Sequence, residues 1–96
     1  MILTKEEFQK RVIDNKEECI VDFYAEWCGP CQMMMPVMEE IAKDHTVYKI
    51  NTDEEGELAM SFGIMSIPCF IVFKDGKEYK RQVGAASKSE IEELFK

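Results

Sequence analysis

With 96 residues, 46% hydrophobic and 32% charged, the chain is expected to form one domain over 1–96, of ordinary globular composition and large enough to fold without staples. Twelve basic against nineteen acidic side chains leave a net charge of -7, which argues against nucleic acid or an anionic membrane surface as the main partner, since both would repel it. No apolar run approaches a membrane span, and Met1-Ile2-Leu3-Thr4-Lys5-Glu6-Glu7 lacks the basic and apolar regions of a signal peptide, so a cytoplasmic location is the expectation.

Met1 to Leu3 is long enough only for a short edge strand. Thr4 then opens a helix with complete start signals: Thr4 and Glu7 have capping-box spacing, and Leu3 and Phe8 the spacing of a hydrophobic staple. Phe8, Val12 and Ile13 give its buried face, and Asn15-Lys16-Glu17-Glu18 its polar exit. Cys19-Ile20-Val21-Asp22-Phe23-Tyr24-Ala25 is a near-continuous apolar run rich in β-formers, the pattern of a strand covered on both faces. Asp22 breaks that pattern. A carboxylate buried there costs several kcal/mol if charged and unpaired, so it must be neutral, paired or useful.

Helical signals resume at Cys28, with Pro30 tolerated in the first turn. Met34, Met38 and Ile41, with Met35 and Ala42 beside them, repeat at helical spacing, and Pro36 should bend the axis. The helix fades near Asp44-His45, where His45 is expected to be solvated. Val47-Tyr48-Lys49-Ile50 is a second inner strand. Thr52 and Glu55 have the spacing to cap a third helix, with Leu58, Ala59 and Phe62 inward and Gly63 at its end. Cys69-Phe70-Ile71-Val72-Phe73 is a buried strand, and Asp75-Gly76 is a hairpin pair that makes Lys77 to Val83 its antiparallel, more polar partner. Ser87 and Glu90 form another capping box, for a last helix burying Ile91, Leu94 and Phe95. The order is α/β, with a mixed sheet of four to five strands and four helices on both faces. Right-handed crossovers place the Cys28 helix start at the carboxyl edge of the strand holding Asp22.

Four cysteines, at 19, 28, 31 and 69, are too few and too irregular for a secreted disulfide framework. Cys28 and Cys31 have the two-residue spacing of a redox pair, which can close a small ring at a helix start, or of half a metal site. Zinc needs four ligands, whereas the only histidine is His45 and Cys69 is the only thiol placed to add to the pair. Cys19 reads as a small apolar strand residue. Cys69 reads as a buried strand thiol, with a regulatory thiol as the alternative. Met33 to Met35, Met38 and Met60 read as core filling rather than as a cofactor box. The acidic clusters at 17 to 18, 39 to 40, 53 to 55 and 90 to 93 read as solvated faces.

Val21-Asp22-Phe23-Tyr24-Ala25-Glu26-Trp27-Cys28-Gly29-Pro30-Cys31 resembles the active-site segment of the thioredoxin family, with Tyr24 where the common form has tryptophan. Pro36 matches the family's helix-kinking proline, Ile67-Pro68 its cis-proline loop facing the dithiol, and Val83-Gly84-Ala85 its glycine turn beside that loop. The resemblance spans essentially the whole chain and implies a thioredoxin fold. Gln32 stands where a basic residue often follows the second cysteine, and Cys69 where threonine is common.

The resemblance implies that the Cys28-Cys31 pair is a redox-active disulfide that reduces protein disulfides, with no bound cofactor or metal. A helix N-terminus favours a thiolate at Cys28, the expected nucleophile, and Cys31, one turn inward and more shielded, is the expected resolving thiol. Asp22 is the expected buried proton acceptor for Cys31, its pKa raised toward working pH by burial, with Lys49 as its implied partner. Trp27, Gly29, Pro30, Met65, Ile67, Pro68, Gly84 and Ala85 would form an apolar docking surface, Ile67 through its main chain. The implied partners are protein disulfides and an NADPH-dependent thioredoxin reductase, and the implied state is a monomer. Two other readings remain open at this point: an oxidant or isomerase of the same fold, and a binding or assembly module without turnover.

Overall fold

The chain, described over residues 1–96 by a computed structural model, begins with helix α1 at Lys5–Phe8, and the start signals around Thr4 are formed as the sequence predicts. The Glu7 N–H donates to Thr4 Oγ1 at 3.2 Å, and the Thr4 N–H donates back to Glu7 Oε1 at 2.9 Å. Leu3 and Phe8, one on either side of the cap, are both buried in the same cluster. Beyond Phe8 the helix widens. Gln9–Asp14 is a π-helix, the Asn15 N–H reaching the Lys10 carbonyl at 2.9 Å, and Gln9 Nε2 donates to Asp14 Oδ1 across the same five-residue interval at 3.0 Å.

Four strands, β1 (Cys19–Tyr24), β2 (Val47–Asn51), β3 (Cys69–Lys74) and β4 (Lys77–Val83), form one mixed sheet in the order β2-β1-β3-β4. β1 runs parallel to β2 and antiparallel to β3, and β3 antiparallel to β4. Met1 to Leu3 adds a single parallel bridge, Ile2 with Lys49, rather than a fifth strand. The β3–β4 turn is the two-residue Asp75-Gly76 loop, with φ of 55° and 77° at its two positions, as a hairpin turn with both central residues left-handed requires.

Alternation along β1 divides the core. Cys19, Val21 and Phe23 pack with Phe8, Leu58 and Phe73 on one face, whereas Ile20 packs with Met38, Phe70 and Ile91 on the other. Fully burying a side chain of the Phe or Ile class contributes about 1.5–3 kcal/mol, so these two layers dominate the stability of the sheet. Asp22 lies on the Ile20 face, beyond the end of that apolar layer.

Pro36 divides the second helix into α2 (Gly29–Met33) and α3 (Met35–Ile41), with Met34 capping both pieces. Its missing N–H and the clash of its ring with the preceding turn make the bend a break. Of the methionines expected to fill the core, Met34 and Met38 do so, but Met33, Met35 and Met60 are exposed at 77%, 46% and 79%, because their positions fall on the solvent sides of these short helices. His45 is not simply solvated either; its ring stacks on Phe95 with centroids 3.8 Å apart. Helix α4 (Gly56–Ser61) ends at Gly63, as expected, but Thr52 and Glu55 make no capping box. Thr52 Oγ1 instead donates to the Tyr24 carbonyl, and Asn51 Oδ1 takes the N–H groups of Asp53 and Glu54. Helix α5 (Lys88–Glu93) starts with the Ser87 and Glu90 capping box formed in both directions.

Candidate active site

Cys28 sits just past the carboxyl end of β1 and is the N-cap of α2, with an extended backbone that leaves its side chain against the first turn. Cys31 lies inside that turn. The Cα atoms are 5.3 Å apart, and the two sulfurs are bonded to each other, so the protein is in its disulfide form. The Cys31 N–H donates to Cys28 Sγ at 3.2 Å, one of the amide groups a helix start leaves without an intrahelical partner.

The expectation that Cys31 is more shielded than Cys28 is not met in this form. Their exposures are 5% and 4%, because the Ile67-Pro68 loop covers Cys28, with the Ile67 carbonyl oxygen 3.9 Å from its sulfur. That peptide bond is cis. The loop is tied to the glycine turn, the Gly84 N–H donating to the Pro68 carbonyl at 2.8 Å. Gly84 has φ of 90°, a conformation open to glycine and strained for other residues. Around the disulfide, Trp27, Gly29, Pro30, Met65 and Ala85 are exposed, Ile67 and Gly84 are half-buried, and Pro68 is buried.

Trp27 is 72% exposed yet held in place, because its indole N–H donates to Asp53 Oδ2 at 2.8 Å. Asp53 reads in the sequence only as part of an acidic run. The available signal was its position, two residues beyond β2, because parallel pairing of β1 and β2 brings the carboxyl ends of both strands to the same edge.

Behind the disulfide, Asp22 is 3% exposed and its Oδ1 has no hydrogen-bond partner. Burial raises its pKa from 3.8 to about 6, and the positive charge of Lys49 opposes part of that rise. A cleft of about 460 Å³ connects the two, lined by Asp22, Tyr24, Ala25, Glu26, Cys31, Gln32, Met35 and Lys49. Lys49 is the register partner of Asp22 across β1 and β2, but its ammonium makes no ion pair with that carboxylate and lies over the Tyr24 ring, 4.8 Å from its centroid. Gln32 donates from Nε2 to the Glu26 carbonyl at 2.8 Å, tying the cleft rim together.

Cys19 and Cys69 are free thiols packed in the core, away from solvent. Burial pushes the Cys19 thiol up to about 12 and raises that of Cys69, so both are disfavoured as thiolates. No group of three or more His, Cys, Asp or Glu side chains is placed to hold a metal ion, and no helix is long and apolar enough to cross a membrane.

The family model that matches the chain is described as Thioredoxin and covers residues 1–96. A thioredoxin from Alicyclobacillus acidocaldarius subsp. acidocaldarius is 47% identical over 96 residues, covering 96% of this chain and 90% of its own. Thioredoxin 1 from a Nostoc species is 40% identical over 97 residues, covering 97% and 91%. Among solved structures, a single-site mutant thioredoxin from Halobacterium salinarum NRC-1 superposes with a TM-score of 0.87 at 34% identity, over 97% of this chain and 83% of that one.

Proposed function

The chain belongs to the thioredoxin family and is a thiol-disulfide oxidoreductase that reduces protein disulfides, and from that premise we propose how its own residues divide the work. The observation that carries the assignment is the Cys28 to Cys31 bond closed across the first turn of α2, between a buried carboxylate and an exposed apolar rim.

Cys28 is the nucleophile. Its thiolate attacks one sulfur of the substrate disulfide, a bond forms between Cys28 Sγ and that sulfur, and the other substrate sulfur leaves as a thiolate that takes up a proton. Cys31 then attacks Cys28 Sγ, re-forming the disulfide seen here and releasing the second substrate sulfur. Two electrons pass to the substrate. Asp22 accepts the Cys31 proton through the cleft that both line; a carboxylate with a pKa near 6 and a free oxygen can take that proton and return it to solvent. Lys49 sets the field around that carboxylate. Trp27, Gly29, Pro30, Ile67, Pro68, Gly84 and Ala85 dock extended substrate backbone, Ile67 through its main chain; the exposed apolar rim and the tie between Pro68 and Gly84 support this.

Family membership brings disulfide-bearing protein substrates and a thioredoxin reductase as partners. The finer reading is that the reductase draws on NADPH, and that residues 1–96 act as one monomeric domain in the cytoplasm, with no bound cofactor. The net charge of -7, which keeps copies apart, and the two core thiols left unpaired beside a single disulfide support it.

The test is reduction of a model protein disulfide with dithiothreitol as electron source. The parent chain should accelerate it and Cys28→Ser should not; if the parent adds nothing to dithiothreitol alone, the reductase assignment fails.

A further inference from the structure

Two groups compete for the Lys49 ammonium: the Asp22 carboxylate, its neighbour in strand register, and the face of the Tyr24 ring. The ring holds it. The three ion pairs of the molecule, Lys43 with Glu40, Arg81 with Glu78 and Lys96 with Glu93, leave Lys49 out, and Asp22 Oδ1 has no hydrogen-bond partner. The attraction of the half-buried ring face is what holds it there, and it leaves one side of the ammonium in water.

We propose that Tyr24 is a positioning residue, whose ring holds the Lys49 ammonium off Asp22 and so keeps the buried carboxylate without a cation partner. The inference rests on the reading that Asp22 takes the proton of Cys31. A carboxylate paired with lysine would be held ionised and would be a poor acceptor, whereas an unpaired one in the same place binds the proton more tightly. The ionisable groups facing the cleft are Asp22 and Tyr24 from β1, Lys49 from β2, Glu26 from the following loop and Cys31 from α2. Glu54 acts on the Tyr24 hydroxyl, and Asp22 on the Cys69 thiol, only through space, Cys69 packing with Phe23 on the opposite face of the sheet. Lys49 is the one cation among them, so where it rests decides the field at Asp22.

The experiment follows the Asp22 carboxyl by carbon-13 NMR titration in the parent and in Tyr24→Leu, Tyr24→Gln, Tyr24→Phe, Lys49→Met and the double variant Tyr24→Leu/Lys49→Met. Without the ring, Lys49 swings to Asp22 and the midpoint falls by about one pH unit, roughly tenfold in proton affinity, the low end of what an adjacent opposite charge does. Tyr24→Gln should fall with Tyr24→Leu and serves if the leucine variant does not fold. Tyr24→Phe, which keeps the ring, should stay at the parent value. In the Lys49→Met background, loss of the ring should leave the midpoint in place. An unchanged midpoint in the ring-less variants overturns the proposal, and so does a fall that persists without Lys49, which would mean that water admitted to the cleft lowers the pKa. The readout is a proton equilibrium, so it stands apart from the role of Asp22: that role fails on its own if Asp22→Asn leaves resolution of a mixed disulfide as fast as in the parent.

Discussion

Replacing Asp22 with asparagine should stabilise the disulfide form, and by an amount that depends on pH. The carboxyl has a pKa of about 6 in the folded chain against an ordinary 3.8, so the fold binds its proton more tightly than the unfolded chain does. Below 3.8 both states hold the proton and Asp22 carries no penalty. As pH rises through 6 the buried group must ionise, and that stability is lost. At about 1.4 kcal/mol per pH unit the loss is roughly 3 kcal/mol once both states are ionised, a large part of the 5–15 kcal/mol typical of a domain. Asparagine removes the ionisation but leaves amide hydrogens to satisfy in the same cleft, so a gain of about 2–3 kcal/mol above pH 7 is expected. Guanidinium unfolding of the oxidised proteins from pH 4 to pH 8 measures it. The gap between variant and parent should be small at pH 4, open between the two pKa values with a midpoint at about pH 5, and level off above 7. A gap that is the same at every pH would refute the reasoning, since it would come from packing rather than from a buried charge.

Gly76→Ala should cost about 1–3 kcal/mol in the same unfolding experiment, because the residue has φ of 77° and a Cβ there would lie 2.8 Å from the Ile13 carbonyl oxygen. Thr4→Ala and Ser87→Ala, each removing a capping side chain that accepts an N–H, should cost about 1 kcal/mol apiece, and the two losses should add, since the caps share no partner. Asp53→Ala should leave the core intact but release the only tryptophan, read as a fall in Trp27 fluorescence anisotropy; an unchanged anisotropy would mean that the indole is held by something other than its hydrogen bond.

What could be read in advance was what short-range chemistry decides. The boxes at Thr4 and Ser87, the Asp75-Gly76 turn and the Gly63 helix end depend on residues no more than a few positions apart, and each forms as its residues dictate. Asp22 was conspicuous because a charge in an apolar strand has few cheap explanations. The misses depend on partners distant in sequence or on small differences in period. Over six residues a π-helix and an α-helix bury the same side chains, so Phe8 and Val12 could not reveal the widening at Gln9–Asp14. Thr52 had the spacing of a cap, but parallel pairing brings the Tyr24 carbonyl within reach and takes its hydroxyl. The same pairing sets Trp27 against Asp53 and Lys49 over Tyr24, contacts that no spacing within either segment encodes. Met33, Met35 and Met60 misled because methionine is apolar enough to suggest a core wherever it stands.

The central claim is that Cys28 attacks and Cys31 resolves, and a Cys31→Ser variant tests it most directly. Mixed with a protein that carries an exposed disulfide, the variant should accumulate a covalent adduct, and peptide mapping should place the bond at Cys28, with Cys19 and Cys69 still free. No adduct, or one joined through Cys69, would contradict the account.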